Sequence, residues 1–161
     1  MVFATDKEAY DLLAKLDIAY DRLDHHAITS VHDFGSSMSG QGVKNLFLKN
    51  KKSSQFYLVI LPANKQANLS ALGEHLGEKR LSFASDNQLE ELLHVPAGTV
   101  TPFGLLFDKE RKIRVIVDAE VDRTASIGFH PFINTSTLSI AYADLECLVA
   151  FLGYQIEVII C

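Results

Sequence analysis

Apolar runs in this chain are short. Phe56 to Leu61 and Ile156 to Ile160 stand out, and both have the length of a sheet strand, far below the roughly 20 residues that cross a bilayer. Strand-length runs alternate with segments of helical period, and the order follows no strict βαβ repeat. This pattern predicts helices packed on a mixed sheet in one compact domain. The 161 residues fit one domain, and the 48% apolar content is enough for one core. No internal repeat, low-complexity tract or linker divides residues 1–161, so one domain over that range is the expectation. The N-terminus shows no basic-then-apolar signal, and the expected location is the cytoplasm, away from any membrane.

Local signals place the elements. Thr5 followed by Glu8 reads as a capping box, and Tyr10, Leu13, Leu16 and Tyr20 continue at helical spacing. A short strand is expected around Ile18 to Leu23. The Gly- and Ser-rich stretch from Asp33 to Gly42 reads as a flexible loop. Asn45 to Leu48 and Gln55 to Leu61 form a hairpin with a Lys-rich turn, in which Val59, Ile60 and Leu61 are core candidates. Leu69, Leu72 and Leu76 mark a helix ending near Gly77, Leu81 to Ala84 a strand, and Ser85 with Gln88 the cap of a helix reaching His94. A stiff segment from Pro96 to Gly104 should lead into a hairpin of Leu105 to Phe107 with Ile113 to Val117. Thr135 to Ile140, Tyr142 to Leu152 and Gln155 to Ile160 complete the order as strand, helix and strand.

Charge and motif content narrow the function. The formal charge of −5 excludes indiscriminate coating of nucleic acid, so a nucleic-acid partner would need a local basic patch. Lys44, Lys49, Lys51 and Lys52 are the candidate, although Lys51 and Lys52 equally suit a solvated turn. There is no GxSxG, P-loop, HExxH or paired-cysteine zinc pattern. Cys147 and Cys161 lack ligand spacing and read as incidental thiols. His25, His26 and His32 invite a metal reading, but acidic and cysteine partners at ligand spacing are missing; a partly exposed strand end accounts for them better. No metal or cofactor is expected.

Two polar groupings remain. Lys44-Asn45 stands where a glycine-containing loop enters a strand; a lysine there can hold a phosphate or polarise a carbonyl, or be an ordinary surface lysine. Gly128-Phe-His-Pro131 with Asn134-Thr-Ser136 combines a fixed backbone with several polar side chains, as in a binding loop whose N–H groups face a substrate oxygen. A Pro-containing turn that satisfies its own backbone has the same composition.

Four segments taken in order, Lys44-Asn-Leu-Phe-Leu48, Leu81-Ser-Phe-Ala-Ser85, Gly98-Thr-Val-Thr-Pro-Phe-Gly104 and His130-Pro-Phe-Ile-Asn-Thr-Ser136, resemble the prolyl-tRNA editing family, the YbaK-like aminoacyl-tRNA deacylase domain. The resemblance runs from the first helix to the last strand. It implies a mixed α+β domain with a mixed, partly barrel-like sheet. It also implies hydrolysis of the ester between a mischarged amino acid and the 3′-terminal adenosine of tRNA. The segments KNLFL and VTPFG look like the free-standing branch that clears alanine from proline tRNA, whereas a sister branch handles cysteine. Carried over by position, the catalytic residues are Lys44, Asn45 and His130, and the substrate-binding residues are Gly128, Pro131, Asn134, Thr135 and Ser136. Val43 stands where relatives often have Thr, and Phe132-Ile133 replaces a more polar stretch; both differences bear on substrate preference.

The implied partner is the acceptor end of aminoacylated proline tRNA, with prolyl-tRNA synthetase or an elongation factor as candidate further partners. On this reading Lys44 anchors the terminal phosphate or ribose, N–H groups of the Gly128 loop hold the aminoacyl carbonyl, and His130 orients substrate or loop. A small pocket, with the Ile18 to Ile28 region as one candidate wall, would admit alanine and refuse proline. The alternatives are a deacylase for cysteine or another small amino acid on tRNA, and a non-catalytic tRNA- or synthetase-binding module.

Overall fold

A computed structural model describes residues 3–25 and 41–161. The loop expected over Asp33 to Gly42, apart from its last two residues, lies outside the described residues, as do His26, His32 and the end of the Ile18 to Ile28 region.

Both predicted capping boxes form. The Glu8 carboxylate accepts from the Thr5 N–H (2.6 Å) and hydroxyl (2.7 Å) and opens α1 (Asp6–Lys15). Ser85 and Gln88 cap α3 (Asp86–Leu93) reciprocally. Between them lie β1 (Asp21–Asp24), β2 (Val43–Asn50), β3 (Phe56–Pro62), α2 (Leu69–Leu76) and β4 (Leu81–Phe83). The first strand is shorter than expected because the chain turns after α1, and Ile18 is buried in the core instead. Gly77 closes α2 with φ 73°, the left-handed geometry that glycine adopts without steric cost.

The segment Leu105 to Phe107 is not a strand. Pro102–Phe107 forms a 3₁₀ helix with proline at its first position, where the missing N–H costs nothing. Gly104 is held so close to α3 that a Cβ there would sit 2.9 Å from the Leu93 Cβ. This packing requires a helical turn, and no hairpin with the following strand forms. That strand, β5 (Ile113–Asp118), instead pairs in parallel with β3 and with β8 (Ile156–Ile159). The segment read as a glycine-to-proline loop also differs: Ser126–Phe129 is a strand, β6, antiparallel to β7 (Ser136–Ala141). The helix α4 (Tyr142–Phe151) follows β7.

The strands make two sheets, β1-β7-β6 and β4-β2-β3-β5-β8, the second of mixed direction. Among the described residues, an isolated parallel bridge between Gln41 and Ile127 joins them. Strand β3 explains the layering. Phe56, Leu58 and Ile60 face the large core that also contains Ile127, Phe129, Leu138 and Ile140 of the small sheet; Tyr57, Val59 and Leu61 face a second cluster with Leu72 of α2. A strand buried on both faces reads as a continuous apolar run, as Phe56 to Leu61 does.

Candidate active site

The strand period separates the two residues of the Lys44-Asn45 pair. Val43 and Phe47 point into the large core, and Asn45, opposite Ile60, shares their face. Lys44, opposite Leu61, faces outward with Leu46 into a groove beside α2. Lys44 forms no ion pair among the described residues. Lys65, its neighbour in the groove, is held by the buried Asp118 (2.9 Å) and by Glu120.

Between these two faces, one edge of β2 is unpaired over part of its length among the described residues. Strand β3 covers one side of β2 throughout, but β4 pairs only with Leu48 to Asn50. From Val43 to Leu46 no described strand pairs with the other side. The Phe47 carbonyl turns to that side to accept from the Ala84 N–H (2.9 Å), so alternation turns the Asn45 N–H and carbonyl the same way. Strand β6 presents its own edge here. The Ser126 carbonyl turns away from β7 and accepts from the Gln41 N–H (3.0 Å), and alternation directs the Gly128 backbone likewise. Backbone polar groups of Asn45 and Gly128 therefore point into the seam where the two sheets meet. The Asn45 Oδ1 is buried and meets no donor among the described residues. A buried acceptor without a partner is costly, and such positions are often completed by a ligand.

A second polar grouping closes the end of the small sheet. The His130 Nδ1 lies 3.0 Å from the Ser136 carbonyl; since a carbonyl only accepts, Nδ1 carries the proton and Nε2 the lone pair. Burial, opposed by this bond and assisted by the charge of nearby His25, holds the His130 imidazole below its ordinary pKa, so the ring is neutral at pH 7. The rings of His25 and His130 meet edge to face at 6.1 Å, and the His25 Nε2 lies 2.8 Å from the Thr137 hydroxyl. The Ser136 hydroxyl donates to Asp24 (2.6 Å) and, ahead of Arg22, holds that carboxyl below its usual range. Asp24 and His25 thus join the site through partners more than a hundred residues away, which composition alone could not reveal.

Other expected residues are placed as follows. Gly128 and Pro131 are buried, Asn134 is half-buried and Thr135 is exposed at the turn, where its carbonyl accepts from the His25 N–H (2.9 Å). Phe132 adopts φ 66°, a strained conformation for a bulky residue, and packs on Phe103 (6.2 Å) and Phe107 (5.8 Å). This contact ties the Gly98 to Gly104 segment to the His130 to Ser136 segment. Among the described residues no group of three or more His, Cys, Asp or Glu could hold a metal ion.

The family profile for the aminoacyl-tRNA editing domain matches residues 25–148, a span that contains β2, the seam and the His130 grouping. The chain belongs to the aminoacyl-tRNA editing domain family. It is 31% identical over 154 residues to the prolyl-tRNA editing protein ProX of Acetoanaerobium sticklandii, covering 92% of this chain and 94% of that one. It is 28% identical over 146 residues to the multifunctional Ser/Thr-tRNA deacylase ProXp-y of Escherichia coli K12, covering 87% and 85% respectively. A solved structure provisionally described as a trans-editing enzyme for prolyl-tRNA synthetase superposes with a TM-score of 0.71 at 16% identity, over 94% of each chain, and shares the fold.

Proposed function

We propose that this editing-domain chain is a trans-acting hydrolase that removes alanine from mischarged proline tRNA. The observation that carries the reading is the seam between the sheets: two strand edges joined at Gln41 and Ile127 supply backbone N–H groups, and Asn45 offers a buried acceptor that meets no donor among the described residues. An aminoacyl ester is already activated, so catalysis needs mainly a placed nucleophile and donors for the developing oxyanion.

The aminoacyl carbonyl oxygen sits against the N–H groups that Gly128 and Asn45 direct into the seam. The Asn45 Oδ1 accepts from the substrate ammonium, and the His130 Nε2 orients the attacking water. Water adds to the carbonyl carbon, the bond to the ribose oxygen breaks, and that oxygen leaves as the hydroxyl of the 3′-terminal adenosine. Lys44, at the outer rim of β2, anchors the terminal phosphate. Proline exceeds alanine by two methylenes closed into a ring, and close packing around Val43 and Phe47 makes its entry cost about 1–3 kcal/mol.

Release rates from tRNA(Pro) carrying alanine, cysteine, serine or threonine test the choice of amino acid. Alanine should be released fastest. Faster release of serine or threonine would align this chain with the activity named for its Escherichia coli relative.

The His130 environment sets a pH dependence. Its pKa is lowered in the folded chain, so the acid limb of kcat/KM should have its midpoint below the ordinary imidazole value near 6.5, with His130→Gln lacking that limb. The same shift carries a stability sign. Below 6.5 the unfolded chain binds a proton that the folded chain does not, so stability falls with pH down to the lowered pKa and is constant above 6.5. An acid limb that persists in His130→Gln would remove His130 from the proposed role.

A further inference from the structure

The outer groove beside α2 has a volume of about 780 Å³ and contains, besides Lys44 and Leu46, the side chains of Asn64, Gln66 and Phe83. Phe83 ends β4 on the same face as Leu81 and is 60% exposed. One exposed aromatic is ordinary on a protein surface. This one shares a groove with an ammonium that has no ion-pair partner among the described residues. The register of β4 on β2, with Asn50 opposite Leu81, then brings Lys79 and Arg80 beside the turn that carries Lys51 and Lys52. All four are exposed, and none forms an ion pair among the described residues. A chain of net charge −5 therefore has a cation, an aromatic face and four more cations in sequence along one sheet border.

Alternating cations and an open aromatic face suit single-stranded nucleic acid, in which phosphates need charge and bases need a stacking surface. We propose that this border seats the single-stranded 3′ end of the tRNA. Phe83 stacks a base upstream of the terminal adenosine, Lys44 meets the phosphate between them, and the rim formed by Lys51, Lys52, Lys79 and Arg80 follows the phosphates of the adjoining stem. The inference rests on the deacylase reading above. The edge of β2 from Val43 to Leu46, which no described strand pairs, is where the nucleotide chain crosses from the outer groove, where Lys44 lies, to the inner face, where Asn45 lies.

The test compares Ala-tRNA(Pro) with 3′-O-alanyl-adenosine, which has no upstream nucleotide. Phe83→Ala should lower the ratio of kcat/KM for the tRNA to that for alanyl-adenosine by roughly 10-fold or more, through KM, and Phe83→Trp should restore it. Lys79→Glu with Arg80→Glu should weaken tRNA binding and make the dependence of log K on log salt shallower by about two. An equal loss on both substrates, or no loss on either, would overturn the seat, as would an unchanged salt slope. If the wild-type chain hydrolysed neither substrate, the deacylase reading would fall by itself. Binding of a fluorescent, uncharged stem ending in CCA then decides the seat: roughly 10-fold weakening by Phe83→Ala supports it, and equal affinity ends it.

Discussion

Lys44→Ala is expected to slow alanine release from Ala-tRNA(Pro) by about 100-fold, because an ester whose phosphate is no longer anchored is misplaced against the seam. The fold should survive the change. Lys44 is half-buried at a groove wall and forms no ion pair among the described residues, so no buried partner is left without compensation. Arginine at this position should restore part of the rate, because charge reaches the rim but the guanidinium differs in size and hydrogen-bond geometry. Single-turnover rates beside a thermal melt separate the two effects. A wild-type rate in Lys44→Ala would show that the outer face of β2 contributes nothing to the reaction.

Asp118→Ala should cause the largest loss of stability, about 2–4 kcal/mol. Asp118 is fully buried at the end of β5; its carboxylate accepts from the Lys65 ammonium (2.9 and 3.0 Å) and from the Cys161 N–H (2.8 Å). Truncation leaves a buried N–H without an acceptor and removes one of two carboxylates from Lys65. The partial exposure of Lys65 and its remaining contact with Glu120 keep the cost below that of a fully buried broken pair. A melting temperature lower by roughly 10 °C is the expected readout, and Asp118→Asn, which keeps an acceptor for Cys161, should fall between. A shift within about 2 °C for Asp118→Ala would show that strand pairing and packing hold the C-terminal strand without the Asp118 carboxylate.

Signals that act within a few residues were legible in the sequence. Thr5 with Glu8 and Ser85 with Gln88 cap helices through side chains three residues away, and the Lys-rich turn joins β2 to β3 as its chemistry suggests. The exceptions have tertiary causes. Leu105 to Phe107 has strand composition, yet Gly104 against Leu93 demands the tighter helical turn. Gly128 reads as loop because glycine, histidine and proline dominate its neighbourhood, and pairing with Ser139 makes it part of a strand.

The candidate site was legible in part. Lys44 and Asn45 were found together, and the strand period explains why they cannot act on the same face. Asp24 carries no local signal and His25 reads only as a partly exposed strand end, because their partners, Ser136 and Thr137, arrive from the other end of the chain. Phe83 belongs to a segment that carried the family resemblance, but its exposure in the Lys44 groove is a product of the β2–β4 register.

The most direct test of the deacylase reading is single-turnover release of labelled alanine from Ala-tRNA(Pro), with Pro-tRNA(Pro) run alongside under the same conditions. Rapid loss of alanine with proline retained is the expected result. Release of neither amino acid, or of both at equal rates, would contradict it.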